Sequence, residues 1–189
     1  MKIELKLSLA AVPLIVAAMF VVWMAHAQKP ERRPKPKLTV SIKPQDVADA
    51  LHAVIASNRE VYTHTNAHRF QERSFPNPCA MFRMISEATA SKGVEFSYVL
   101  RSQKPVSQRN APETDVERKG LESFATRPDQ PHYAEEMLGG RWYFTAVYPD
   151  VAVNPSCVTC HNQLNESPKK DFKSGEVMGG VVIRVALEL

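Results

Sequence analysis

Two cysteines with two residues between them, and a histidine directly after the second, make Cys157-Val158-Thr159-Cys160-His161 the segment of this 189-residue chain best suited to chemistry. On a helix the two sulfurs lie one turn apart on one face. That spacing suits two thiols adding to the two fixed vinyl groups of a porphyrin, with the next imidazole placed over the iron. C-x-x-C-H is for that reason the signature of c-type haem attachment. Three other chemistries use paired cysteines. A zinc site takes four ligands, usually as two such pairs, and this chain has a single further cysteine. A thioredoxin-like dithiol sits at a helix start just after a strand; here the loop "PDVAVNPS" separates the strand-like "WYFTAVY" from the motif. A disulfide across so short a gap would be strained. The motif therefore predicts one covalently bound haem c, attached through Cys157 and Cys160, with His161 as an axial iron ligand.

Axial thiolate, methionine and histidine tune iron very differently, so the sixth ligand matters. Cys79 is the thiol left once the haem has taken two, and a leftover thiol in an exported chain asks for a partner, a ligand role or simple burial. It stands in "FPNPC", a proline-bent loop that can aim a side chain, and is the expected sixth ligand; a small buried apolar role is the alternative. Met81 and Met84 follow closely and could serve instead. His64 and His68, four apart, would share a helix face, but no Glu lies between them as in a metalloprotease helix, and a solvated polar face is the expectation. His52 and His132 carry no pattern and are expected to be structural. The aromatic run Arg141–Phe144, with Tyr148, either walls the haem or packs the core.

Compartment bears on all of this. Lys2 and Lys6 precede an apolar run from Leu7 to Ala25 that closes on Ala25-His26-Ala27. A basic start, an apolar stretch and a small-x-small end predict a secretory signal over residues 1–27. The run is also near the length that spans a bilayer, so cleavage and retention as an anchor both stay open. Residues 28–43 read as a Pro/Lys/Arg-rich linker. Of the formal charge of +4, residues 28–37 hold +4 and residues 1–27 hold +1, leaving −1 on residues 38–189. The basic balance thus belongs to the tail, where it suits an anionic lipid surface; it gives the domain no nucleic-acid face. The expected location is the periplasm, with attachment to the inner membrane if the segment is not cleaved.

Residues 44–189 are the size of one domain with a real core. Helical spacing of Val47, Leu51, Val54, Ile55, Val61 and Tyr62 predicts a long amphipathic helix from Pro44 to Phe70. A second helix is expected over Ala80–Ser91 with Gly93 as its stop, and a strand over Val94–Leu100. Pro112 is expected to open a short helix reaching about Phe124. A hairpin around Gly139-Gly140, a short helix for the cysteine motif and a last strand over Val177–Leu187 complete the pattern. The fold class is α+β, an antiparallel sheet with helices packed on one face.

The order of these features resembles the single-haem, c-type, PAS-like sensor domains of bacteria, found alone or as periplasmic input modules of histidine kinases and chemoreceptors. The matching pieces are Asn110-Ala111-Pro112, Glu117, Leu121, Phe124, "NPSCVTCH" and "GEVMGGVVIRV", across most of residues 44–189. The family's earlier Arg-Asn-Pro is replaced here by "QKPVSQRNAP"; if its arginine holds a haem propionate, Arg101 or Arg109 would substitute. The resemblance implies a PAS-like sheet with a long N-terminal helix, and haem that senses redox state or a small ligand without turning over a substrate. Two other roles fit the sequence: a periplasmic electron carrier with a redox partner, and a binding subunit reporting to a separate membrane signalling protein. A haem enzyme would need distal acid–base groups that the sequence does not offer.

Overall fold

The computed structural model describes residues 42–67 and 75–187. The apolar segment read at 1–27, residues 28–41 of the linker, His68 and the expected helix end at Phe70 lie outside them. Among the described residues no helix is long and apolar enough to cross a membrane.

The elements follow as α1 (Pro44–Asn66), α2 (Pro78–Ala90), β1 (Phe96–Arg101), a 3-10 turn (Gln108–Asn110), α3 (Asp115–Ser123), β2 (His132–Leu138), β3 (Arg141–Val151), α4 (Pro155–Gln163) and β4 (Val177–Ala186). The strands form one antiparallel sheet in the order β1-β4-β3-β2. The α+β class, the antiparallel sheet and the long first helix are as the sequence predicts. β2 and β3 meet through Leu138 opposite Arg141, a two-residue turn. Gly139 and Gly140 both have positive φ, 60° and 83°, which such a turn requires and glycine supplies without steric cost.

Helices cover both faces of the sheet, not one. Residues alternate across β3 and β4, so Ala146, Tyr148, Val181 and Ile183 face one way and Val147 and Val182 the other. The first set packs under α1 and α2 with Ala48, Ile55 and Phe82. The second packs under α3 with Leu121 and Phe124. Period-2 strands buried on both sides read as nearly continuous apolar runs, which is how "GGVVIRVA" appears. On α1 the inward stripe is Ala48, His52, Ile55, Arg59 and Thr63, at helical spacing. His52 is structural, as expected: its ring stacks on Tyr148, 3.9 Å between centroids and 5° between planes.

Two helix starts differ from the sequence expectation, both through capping. Asn77 accepts a hydrogen bond from the Ala80 amide and Pro78 takes the first helical position, so α2 begins two residues early and Cys79 lies in its first turn, not on a loop. α3 begins at Asp115, not Pro112, because Thr114 and Glu117 form a capping box. That box puts Glu117 where it is fully buried. Its Oε1 accepts from Arg101 Nε at 3.0 Å and from Arg184 Nη2 at 2.7 Å. Arg184 also donates to Glu136, which takes the Thr145 hydroxyl at 2.8 Å.

Gly120 seats α3 on the sheet. A methyl group there would come within 2.7 Å of the Val147 side chain, which has no room to retreat at zero exposure. Gly120→Ala is expected to cost about 1–3 kcal/mol through overpacking, read as a lower urea midpoint with an unchanged m-value. A variant as stable as the parent would show that the contact gives way.

Candidate functional site

The cysteine motif is held by its own helix start and by the loop after it. Asn154 caps α4, accepting from the Ser156 amide at 2.9 Å, and Pro155 occupies the first turn. At the other end the Asn162 side chain both donates to the Phe172 carbonyl and accepts from its amide, each at 3.0 Å. Cys157 and Val158 pack on Ala152, Phe172 and Met178. The His161 ring stands edge-on to Phe172 with 5.8 Å between centroids. These contacts orient α4 with protein groups alone.

α4 forms one wall of a cleft of about 1200 Å³, a figure that includes its open mouth. Its enclosed part is about 240 Å³, just under the roughly 300–1,000 Å³ usual for ligand clefts, and the rest is open mouth. Cys157, Cys160 and His161 all line it, and so does Cys79, from the first turn of α2. The four residues that the sequence assigns to haem and iron therefore share one cavity. Leu100, Val106, Leu164 and Met178 supply apolar wall, and Arg59, Arg83 and Lys104 bring positive charge. Close approach of backbones shapes one side: a side chain at Gly179 would collide with the Arg101 carbonyl, so β4 can run tight against the end of β1.

All three cysteines are free thiols, so the short-gap disulfide is not formed. Burial pushes the Cys160 thiol up, with Cys157 adding to it; a redox dithiol would need the opposite shift. Among the described residues no three His, Cys, Asp or Glu side chains come close enough to hold a bare metal ion. The donors thus surround a space without converging on a point. That fits an iron carried at the centre of a large planar group, with sulfur attachment on one wall and further donors around it. Burial, and then the charge of Arg59, hold His161 below the ordinary imidazole value, leaving it neutral and able to ligate. Burial pushes the Cys79 thiol up against the pull of Arg59, with Cys160 and Cys157 adding to the rise.

Of the other candidates, Met81 packs into the core under α1, and Met84 is exposed on α2; neither lines the cleft. Met178 does line it, a residue that sequence reasoning passed over, yet it packs beside Cys157 on the α4 side. His64 faces α4 from α1, its Nδ1 3.1 Å from Asn154 Nδ2, so it meets the cap of the motif helix. His132 opens β2, away from the cleft. Arg101 borders the cleft, but its guanidinium is committed to Glu117, to Glu113 at 2.8 Å and to the carbonyls of Arg109 and Ala111. It is a strut for the loop over residues 109–113, with four of its five N–H donors taken by these partners. Arg109 is absent from the cleft wall.

No curated protein matches the chain. Among solved structures, one titled "Crystal structure of the cyanobacterial heme-protein Tll0287" superposes with a TM-score of 0.53 at 16% identity, covering 77% of this chain and 98% of that one. At that identity the likeness establishes the fold. Residues 37–186 match the family model described as Tll0287-like, a span that takes in every element from α1 to β4, and the chain belongs to that family.

Proposed function

We propose that this chain binds one haem c outside the cytoplasm and acts as a haem-based sensor without catalytic turnover. The observation that carries the reading is the shared cleft: a C-x-x-C-H helix forms one wall and a lone cysteine on a second helix projects into the same space. The solved relative by fold is described as a heme-protein, which supports the cofactor class. In this reading Cys157 and Cys160 hold the group covalently, and His161 and Cys79 are the axial ligands. Bound there, haem supplies a redox-active iron with exchangeable axial positions.

The protein's share of the work is positional. Asn154 and Asn162 fix α4 and Phe172 stands edge-on to the His161 ring, so the imidazole would be offered to the iron from a constrained helix. Cys79, on the first turn of α2, would offer a second donor position from a helix that packs under the core with α1. A ligand that leaves or stays at that position would then bias helix packing, the two-state element that a sensor needs. An electron carrier is the second reading, favoured by the open mouth of the cleft, which leaves room for transfer at the edge of the group. A carrier keeps both axial ligands through reduction; a sensor exchanges one or binds CO.

Spectroscopy of the purified protein, oxidised, reduced and with CO, tests the proposal. Cys79→Ser is expected to change the oxidised visible and EPR spectra, since a thiolate ligand is replaced by a far weaker hydroxyl. Unchanged spectra in that variant would remove Cys79 from the ligand set.

A further inference from the structure

Arg59 stands where packing logic would place an apolar residue. It belongs to the inward stripe of α1 with Ala48, His52, Ile55 and Thr63, and its side chain is 13% exposed. Its partner is Asp150 on β3, whose side chain is 11% exposed. A register shift falls between Asp150 and Val151, a bulge that re-aims the strand at this point. Asp150 Oδ1 has no conventional hydrogen bond among the described residues, so the Arg59 guanidinium is the compensation that geometry supplies for its charge. Both residues line the cleft that holds Cys79, Cys157, Cys160 and His161.

A buried ion pair is weak evidence for stability, because desolvation offsets most of the attraction. What such a pair does supply is a fixed field in a low-dielectric wall, where one unit charge is felt far more strongly than in water. Arg59 lines the cleft with Cys79 and His161, as does Arg101, whose guanidinium is committed to Glu117 and Glu113. Arg83, which also lines the cleft, is 44% exposed and so largely screened by solvent.

We infer that the Arg59–Asp150 pair is the electrostatic control of this site, setting the reduction potential of the iron that the cleft would hold. The pair is a positioning and tuning element, not a ligand, and the inference rests on the haem reading. A guanidinium in the wall disfavours the oxidised, more positive state; the carboxylate beside it cancels part of that effect. Removing either member exposes the other, so the two deletions act in opposite directions.

The experiment is a set of spectroelectrochemical titrations on the full-length haem-loaded protein at one pH and ionic strength. Arg59→Met is expected to lower the midpoint potential and Asp150→Asn to raise it. The double variant is expected to fall between them, and Arg59→Lys, which keeps the charge, to stay nearest the parent. A merely structural role would loosen the cleft in either variant and shift both potentials the same way. Shifts of one sign, or unmoved potentials in variants whose spectra match the parent, overturn the inference. Should Met prove too disruptive for loading, the comparison of Arg59→Lys with Asp150→Asn still decides it: a rise in the second without one in the first supports the pair, and equal behaviour refutes it. A parent protein with no haem to titrate is a different failure, that of the haem reading.

Discussion

Glu117→Ala is expected to lower the stability of the domain by about 3–5 kcal/mol, the cost of breaking a buried ion pair from one side. For a domain of this size that corresponds to a thermal midpoint lower by on the order of 10 °C. Glu117 has no exposed surface, and three sets of donors converge on it: Arg101, Arg184 and the backbone amides of Glu113 and Thr114. Alanine would leave the Arg184 guanidinium with Glu136 alone and strip Arg101 of its inner anchor. It would also delete half of the capping box that starts α3. Burial pulls the Glu117 carboxyl up, but the Arg184 hydrogen bond, the Glu113 amide and the two guanidinium charges together outweigh it and hold it below the usual carboxylate value. A depressed carboxyl contributes stability above its unfolded pKa of about 4.5 and loses it as pH falls through the lower folded value. The parent should accordingly show an acid limb below pH of roughly 4.5 that is shallower in Glu117→Ala, followed by urea denaturation at stepped pH. Equal midpoints for parent and variant at neutral pH would mean that the network is decoration. The effect should also reach the cleft, because Arg101 carries the loop whose Asn110 lines it.

The Glu117 network also marks what the sequence does and does not disclose. Glu117, Leu121 and Phe124 stood out through a family resemblance, and the structure gives each a packing role: a buried carboxylate and two apolar contacts on Val147 and Val182. The motif helix was legible because its information is local: Asn154, Pro155 and the cysteine spacing lie within one short segment. The hairpin and the long first helix were legible for the same reason. Cys79 could be singled out by counting cysteines, but its meeting with α4 is a long-range fact that no periodicity carries. Arg59 and Asp150 carried no signal at all, since each is an ordinary charged residue until α1 lies across β3. The helix placement on both faces was missed because α3 is short and mostly polar, and only Val116, Leu121 and Phe124 show which side it buries. Arg101 enters for a propionate only through the resemblance, as a substitute for the family's missing arginine; the buried acid that claims it lies in another element.

Replacing both motif cysteines, Cys157→Ser with Cys160→Ser, is expected to abolish covalent haem: acid–acetone should leave the chain colourless, and its mass should equal that of the bare polypeptide. A hydroxyl cannot take the place of the thiol that adds to a vinyl group, so the loss should be complete. Each single variant keeps one thiol and is expected to retain pigment with an altered pyridine haemochrome, since one vinyl group stays unsaturated. The two sites should differ in stability. Cys157 packs on Ala152, Phe172 and Met178, where a serine hydroxyl finds no partner among apolar neighbours; a penalty of about 1–3 kcal/mol is expected there. Cys160 lies outside that cluster and should cost less. The double variant should still fold, because Asn154 and Asn162 hold α4 by hydrogen bonds that involve neither sulfur. Far-UV circular dichroism matching the parent would establish that, and would separate loss of attachment from loss of structure. His161→Ala completes the contrast, since it removes an axial donor and leaves both thiols in place: the pigment should survive acid–acetone while the visible spectrum changes. Colour that persists through extraction in the double cysteine variant would show that the group is held in some other way, and would leave the shared cleft without its covalent chemistry.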